Sequence, residues 1–210
     1  VITVSLFEQH RQTEALLGLA AGSLTWLGPI DPSTDPLWRA MQRDEITERE
    51  YWARRAQEIG RLTGESDDWD MLTFLTRVRN TNPNAAVRPQ ASGAIRAARA
   101  AGIRVGILTN ELELFYGKTF LDRFDVLGDI DCIVDASHTR ILKPSPQAYA
   151  LGVEAMHLPA ERILFVDDQF RNIAGAHEFG LQTQLFELRD PAGSYRAVLA
   201  RLGLDAAALN

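Results

Sequence analysis

Ile163-Leu164-Phe165-Val166-Asp167-Asp168 sets four apolar residues before two carboxylates, and Gln169-Phe170-Arg171-Asn172 leads on to Gly175-Ala176 and Gly180. The apolar run predicts a buried strand, and the residues after the carboxylates predict a helix that Gly180 stops. In open α/β sheets, ligands sit beyond the carboxyl ends of the strands, so the polar pair stands where chemistry is expected. Magnesium suits it, because that ion takes oxygen ligands, keeps several waters and commonly uses one or two carboxylates with a substrate phosphate. An aspartate capping the helix explains the same position as well. Asn172, one turn into the helix, could face the same mouth and hold the metal's waters or a carboxylate.

The same rhythm extends around this stretch. Arg104 to Leu108, Cys132 to Val134 and Leu181 to Phe186 read as further short strands. Between them, helices are expected over Pro89–Ala101, Glu111–Phe124, Ser145–Met156 and Ser194–Leu202. Alternation of this kind implies right-handed crossovers and a parallel, Rossmann-like sheet. Two more polar sites fall at the expected places. Thr109-Asn110 comes after a strand and precedes a helix, where a hydroxyl and backbone N–H groups can hold phosphate oxygens. A turn with an N-cap is the simpler explanation for that pair alone. Lys143-Pro144 stands just before a helix, where the lysine would put a point charge beside a phosphate or carboxylate. A lone loop lysine is usually just solvated.

Before Arg79 the pattern is helical only. Leu6 to Leu19 is amphipathic, with Leu6, His10, Thr13, Leu16 and Leu17 on one side; further helices are expected from Pro36, from Ile46 and after a cap at Asp68. Trp26, Trp38 and Trp52 are candidate substrate contacts or, more simply, the packing of this segment. The fold class is therefore α/β: a parallel-sheet core over residues 1–5 and 84–210, with an inserted all-helical segment over residues 6–83.

Composition narrows the function. The chain has 210 residues and a net charge of −6, which speaks against a nucleic-acid partner. A small anionic substrate stays open, since one divalent cation and one lysine reverse the local sign. The single Cys132 and four scattered histidines leave no internal disulfide and no zinc spacing. No apolar run suits a bilayer and no leader-like start is visible, so a cytoplasmic protein without a membrane partner is expected. Oligomeric state is not legible.

Taken in order, Leu108-Thr109-Asn110, Lys143-Pro144 and Phe165-Val166-Asp167-Asp168 with Asn172, Gly175-Ala176 and Gly180 resemble the second to fourth motifs of the haloacid dehalogenase-like (HAD) hydrolases. The resemblance covers about Val87 to Phe186, and the helical segment resembles that superfamily's cap. It implies that Thr109 hydrogen-bonds the transferring phosphoryl group, with Asn110 beside it. Lys143 would neutralise the nucleophile and phosphate. Asp168 would ligate magnesium, helped by Asp167 directly or through water. Asn172 stands where many members carry a second aspartate, a variant similar to the phosphatase domain at the N-terminus of some epoxide hydrolases. Gly175, Ala176 and Gly180 are expected to pack helix on sheet.

The family's nucleophile is an aspartate ending the first strand. Val1-Ile2-Thr3-Val4-Ser5 resembles the stretch just after that motif, and neither Asp31 nor Asp35 comes after a buried strand. Leaving out a central parallel strand would strand two rows of backbone groups at about 1–3 kcal/mol each. A strand bearing the aspartate is thus expected just upstream of Val1. The implied activity is hydrolysis of a small phosphorylated metabolite with magnesium, through an aspartyl-phosphate, under a cap hinged near Ser5 and Pro83. Two alternatives stay open. One is a metal-free haloacid dehalogenase, although such enzymes typically carry serine and asparagine where Asp167-Asp168 stands. The other is an inactive HAD-fold binding or scaffold module.

Overall fold

A computed structural model describes residues 1–79 and 82–209. Residues 80 and 81 of the expected helical segment, and residue 210 of the expected core, lie outside the described residues. Four helices build the first part: α1 (His10–Leu16), α2 (Pro36–Gln42), α3 (Glu48–Thr63) and α4 (Met71–Arg79). Their ends are fixed by local chemistry. Thr47 and Glu50 form a reciprocal capping box at the start of α3, and Gly64, at φ 73°, ends it in the left-handed conformation. Asp35 caps α2 by accepting the Trp38 N–H at 2.8 Å. The cap of α4 is Asp70, which accepts the Thr73 N–H at 2.7 Å, and not the expected Asp68.

The core of this part is aromatic. Phe7, Trp26, Trp38, Tyr51 and Trp52 are buried against one another, so the tryptophans act as packing. Asp35 lies at the centre with no exposed surface. It accepts the Tyr51 hydroxyl at 2.6 Å and an Arg55 N–H, which together satisfy its charge. The first helix departs from the expected face. Leu16 is 55% exposed, and Glu14 turns inward in its place. Glu14 accepts the backbone N–H groups of Gly22 at 3.0 Å and Leu24 at 2.8 Å, and pairs with Arg11. These bonds tie the next loop to the helix, which a polar side chain can do and a leucine cannot.

The second part carries four strands: β1 (Gly106–Thr109), β2 (Cys132–Asp135), β3 (Leu164–Asp167) and β4 (Gln182–Leu185). These four strands pair in parallel, as expected, but form two separate pairs, and an isolated antiparallel bridge joins Thr3 and Val87. Gly106 to Thr109 lie opposite Cys132 to Asp135, and Leu164 to Asp167 opposite Gln182 to Leu185. Between β1 and β3 runs a slot of about 560 Å3, lined by Ile107, Leu108, Phe165 and Val166 with Val1 to Leu6 beside them. No strand among the described residues pairs with the facing edges of β1 and β3. This is the place where the sequence argument expects a central strand.

Helices α5 (Pro89–Ala100), α9 (Pro146–Met156), α10 (Phe170–Phe179) and α11 (Pro191–Arg201) flank the strands. The helix expected over Glu111–Phe124 is broken into α6 (Leu112–Tyr116) and α7 (Lys118–Leu121). Gly117 between them sits at φ 72° and ψ 153°, which no L side chain adopts comfortably. A four-residue turn, α8 (Ala136–Thr139), comes after β2. The two parts meet where the chain crosses twice. Val4 N–H donates to Ala86 at 2.8 Å and Arg88 N–H to Ile2 at 3.0 Å, next to the expected hinges.

Burial works against the Glu14 carboxylate, but the Gly22 and Leu24 N–H groups and Arg11 outweigh it and hold it down at about 2. Its contribution is therefore complete above the ordinary value of 4.5 and is lost as pH falls toward about 2. Urea unfolding of Glu14→Gln across this range should show a shallower acid dependence. At neutral pH it should lose roughly 1–3 kcal/mol, the cost of poorly satisfied buried donors. Identical pH slopes in both proteins would refute this role.

Candidate active site

The six residues singled out in the sequence line a single cavity. Thr109, Asn110, Lys143, Asp167, Asp168 and Asn172 all face the slot, at the carboxyl ends of β1 and β3. Strand geometry brings them there. Thr109 is the last residue of β1 and Asp167 the last of β3. Lys143 arrives on the loop before α9. Gly175 lets α10 approach that loop, since a Cβ there would meet the Pro144 carbonyl oxygen at 3.0 Å.

At the centre is a buried ion pair. Lys143 Nζ donates to Asp167 Oδ2 at 2.6 Å, with both side chains about nine-tenths buried. Burial opposes both charges, yet the pair's attraction raises the lysine pKa and lowers the aspartate's. Asp167 Oδ1 also accepts the Gln169 N–H at 2.9 Å and Asn172 Nδ2 at 3.0 Å. Asp167 is thus occupied by the protein, which leaves it suited to hold a metal's water more than the metal itself. Asn110 lines the slot next to Thr109 and also bonds the lysine's backbone. Its Oδ1 accepts the Lys143 N–H at 2.8 Å and its Nδ2 approaches the Lys143 carbonyl at 3.3 Å. It therefore positions the lysine through the backbone.

Asp168 is the less engaged carboxylate. Burial raises its pKa, and Val1 lines the same slot. Asn172 is 2% exposed, and its Oδ1 has no hydrogen-bond partner among the described residues. An orphaned buried oxygen and a spare carboxylate on the wall of one slot are a donor set that fits magnesium. Among the described residues no group of three or more His, Cys, Asp or Glu side chains gathers. A cation here would therefore retain waters and take a substrate oxygen.

The helical part closes over this cavity with residues that nothing in the sequence marked. Glu48, the first residue of α3, accepts Asn110 Nδ2 at 2.7 Å and Gln169 Nε2 at 2.9 Å, and burial raises its pKa. Arg49 makes two 3.0 Å bonds to the buried Glu111 carboxylate. Arg171 reaches back to the Met41 carbonyl and to Asp44, both at 2.8 Å. An acidic residue in a first helical turn looks like ordinary dipole complementarity, so Glu48 carried no separate signal.

Comparison with known proteins places this arrangement. A family model described as a haloacid dehalogenase-like hydrolase matches residues 7–180. Haloacetate dehalogenase H-2 of Moraxella sp. (strain B) is 36% identical over 95 residues, 45% of this chain and 42% of that protein. Phosphatase MT3486 of Mycobacterium tuberculosis (strain CDC 1551 / Oshkosh) is 29% identical over 99 residues, 47% of this chain and 46% of that protein. The match thus spans less than half the length of either relative. A solved structure titled as a dehalogenase superposes with a TM-score of 0.59 at 17% identity, covering 89% of this chain and 81% of that one. That likeness concerns the fold.

Lys143→Met should leave the Asp167 charge buried and unpaired, at a cost of about 3–5 kcal/mol. The double variant Lys143→Met/Asp167→Asn should recover part of that loss in urea unfolding. Additive losses would show that the pair is not coupled.

Proposed function

The chain belongs to the haloacid dehalogenase-like hydrolases, and from that premise we propose that it hydrolyses a small organic phosphate ester with magnesium. The observation that carries this reading is that Asp168 and Asn172, with its unpartnered Oδ1, line the same slot as the Lys143–Asp167 pair. Asp168 and Asn172 would hold the cation, with Asp167 bonding one of its waters. The bound ion would supply charge neutralisation at the phosphate oxygens. Thr109, at the cavity wall, would donate its hydroxyl to a phosphoryl oxygen, and Lys143 would place its charge alongside.

In this proposal the nucleophile is an aspartate on a strand preceding Val1 and seated in the slot between β1 and β3. Such a strand would lead into the slot that Val1 and Asp168 both line. The aspartate would attack phosphorus to give an aspartyl-phosphate, which water then hydrolyses. The segment over residues 6–83, moving about Ser5 and Pro83, would act as the cap that keeps bulk water out. No helix among the described residues is long and apolar enough to cross a membrane, and we propose a cytoplasmic enzyme.

A metal-free dehalogenase is the second reading, favoured by the similarity to haloacetate dehalogenase H-2. One assay separates the two in the complete gene product. Release of p-nitrophenol from p-nitrophenyl phosphate should need magnesium and stop on chelation. Asp168→Asn should reduce it by roughly a hundredfold or more, as loss of a charge-stabilising group does. Chloride release from a 2-chloro acid that ignores chelation would instead establish the dehalogenase.

A further inference from the structure

Beside Asp168 a second cleft opens between the helical part and the core. It measures about 430 Å3, a size typical of small-ligand sites. Trp38, Arg39 and Arg43 line it on one wall, and Asp168, Phe170 and Leu185 on the other. Asp168 and Gln169 also line the slot, so the two spaces meet at the proposed phosphate position. Gln42 and Gln169 bond across this junction at 3.4 Å.

Two features of the cleft are not taken up by packing or pairing among the described residues. Phe170 is 71% exposed, the most exposed of the large apolar side chains, although it opens α10 directly behind the two carboxylates. Arg39 is the second feature, a cation of the cleft that stands without a partner among the described residues. Arg43 is engaged by Glu45 through bonds of 2.6 and 3.0 Å, and Arg171 by Met41 and Asp44. No hydrogen bond or ion pair holds the Arg39 guanidinium among the described residues. The cleft's other acid, Glu187, takes the Arg189 N–H at 3.3 Å.

We infer that this cleft receives the leaving group of the ester, and that the group carries a flat aromatic ring set between Phe170 and Arg39. The inference rests on the phosphatase reading for the group bound at Asp168. Its chemistry is direct. A phenyl ring packs edge-on or offset against another aromatic, and a guanidinium is attracted to the ring face. Leu185 and Trp38 extend the apolar walls. A short aliphatic leaving group would leave Phe170 in water and gain nothing from Arg39.

The test is binding of non-hydrolysable probes by calorimetry in magnesium buffer. Phenylphosphonate should bind roughly tenfold or more tightly than methylphosphonate. Phe170→Ala and Arg39→Ala should each remove most of that preference and leave methylphosphonate affinity unchanged. Both side chains are exposed, so neither substitution threatens folding. Equal affinity for the two phosphonates, or a preference that survives both substitutions, overturns the inference. Phenylacetate is the control for the headgroup. If it binds in a Phe170-dependent manner while neither phosphonate binds, the cleft assignment stands and the phosphatase reading fails. Binding of none of the three probes overturns both.

Discussion

The site depends on one ion pair. Lys143 and Asp167 come from segments 24 residues apart, and both are nearly buried. Neither charge is tolerable alone in that setting, so the loop before α9 and the end of β3 must stay together. Asn110 then fixes the lysine through its backbone, which adds the end of β1 to the same assembly. Three strand and helix termini are thereby locked into one arrangement before any ligand arrives. Preorganisation of this kind lets fixed charges act on a substrate without rearrangement during the reaction.

The same locked groups also read the position of the helical part. Glu48 bonds Asn110 and Gln169, and Gln169 is in turn bonded to Asp167 through its backbone N–H. The anchor of Lys143 and the closure of the cavity are therefore connected by two hydrogen bonds. Arg49 with Glu111, and Arg171 with Asp44, add charge pairs on either side. The partner carboxylate of Arg171 is largely exposed, and exposed pairs contribute little stability.

The paired strands show a further constraint. Each pair satisfies one edge of its strands, and the facing edges of β1 and β3 meet across the slot. Parallel sheets are stable when both edges and both faces are covered. Ile107, Leu108, Phe165 and Val166 line the slot between the two pairs.

Much of this was legible in the sequence. Short apolar runs ending in polar residues marked β1, β2 and β3, because a buried parallel strand needs continuous apolar residues, whereas β4 is mostly polar. Their order gave the parallel pairing, and Thr109, Lys143, Asp167, Asp168 and Asn172 were found as the lining of one cavity. The misjudged places have local causes. Gly117 broke a helix that periodicity had drawn through it, and Glu14 replaced Leu16 inside because it could bond two loop amides. The sequence by itself determined the alternation of elements and the residue types at their ends, since both depend on neighbours along the chain. Only the tertiary structure decided that Asp167 is taken by Lys143, that Asn110 holds a backbone, that Asn172 keeps a spare oxygen, and that Glu48 closes the cavity. Those roles depend on distances between groups far apart in the chain, and no local pattern encodes a distance of that kind.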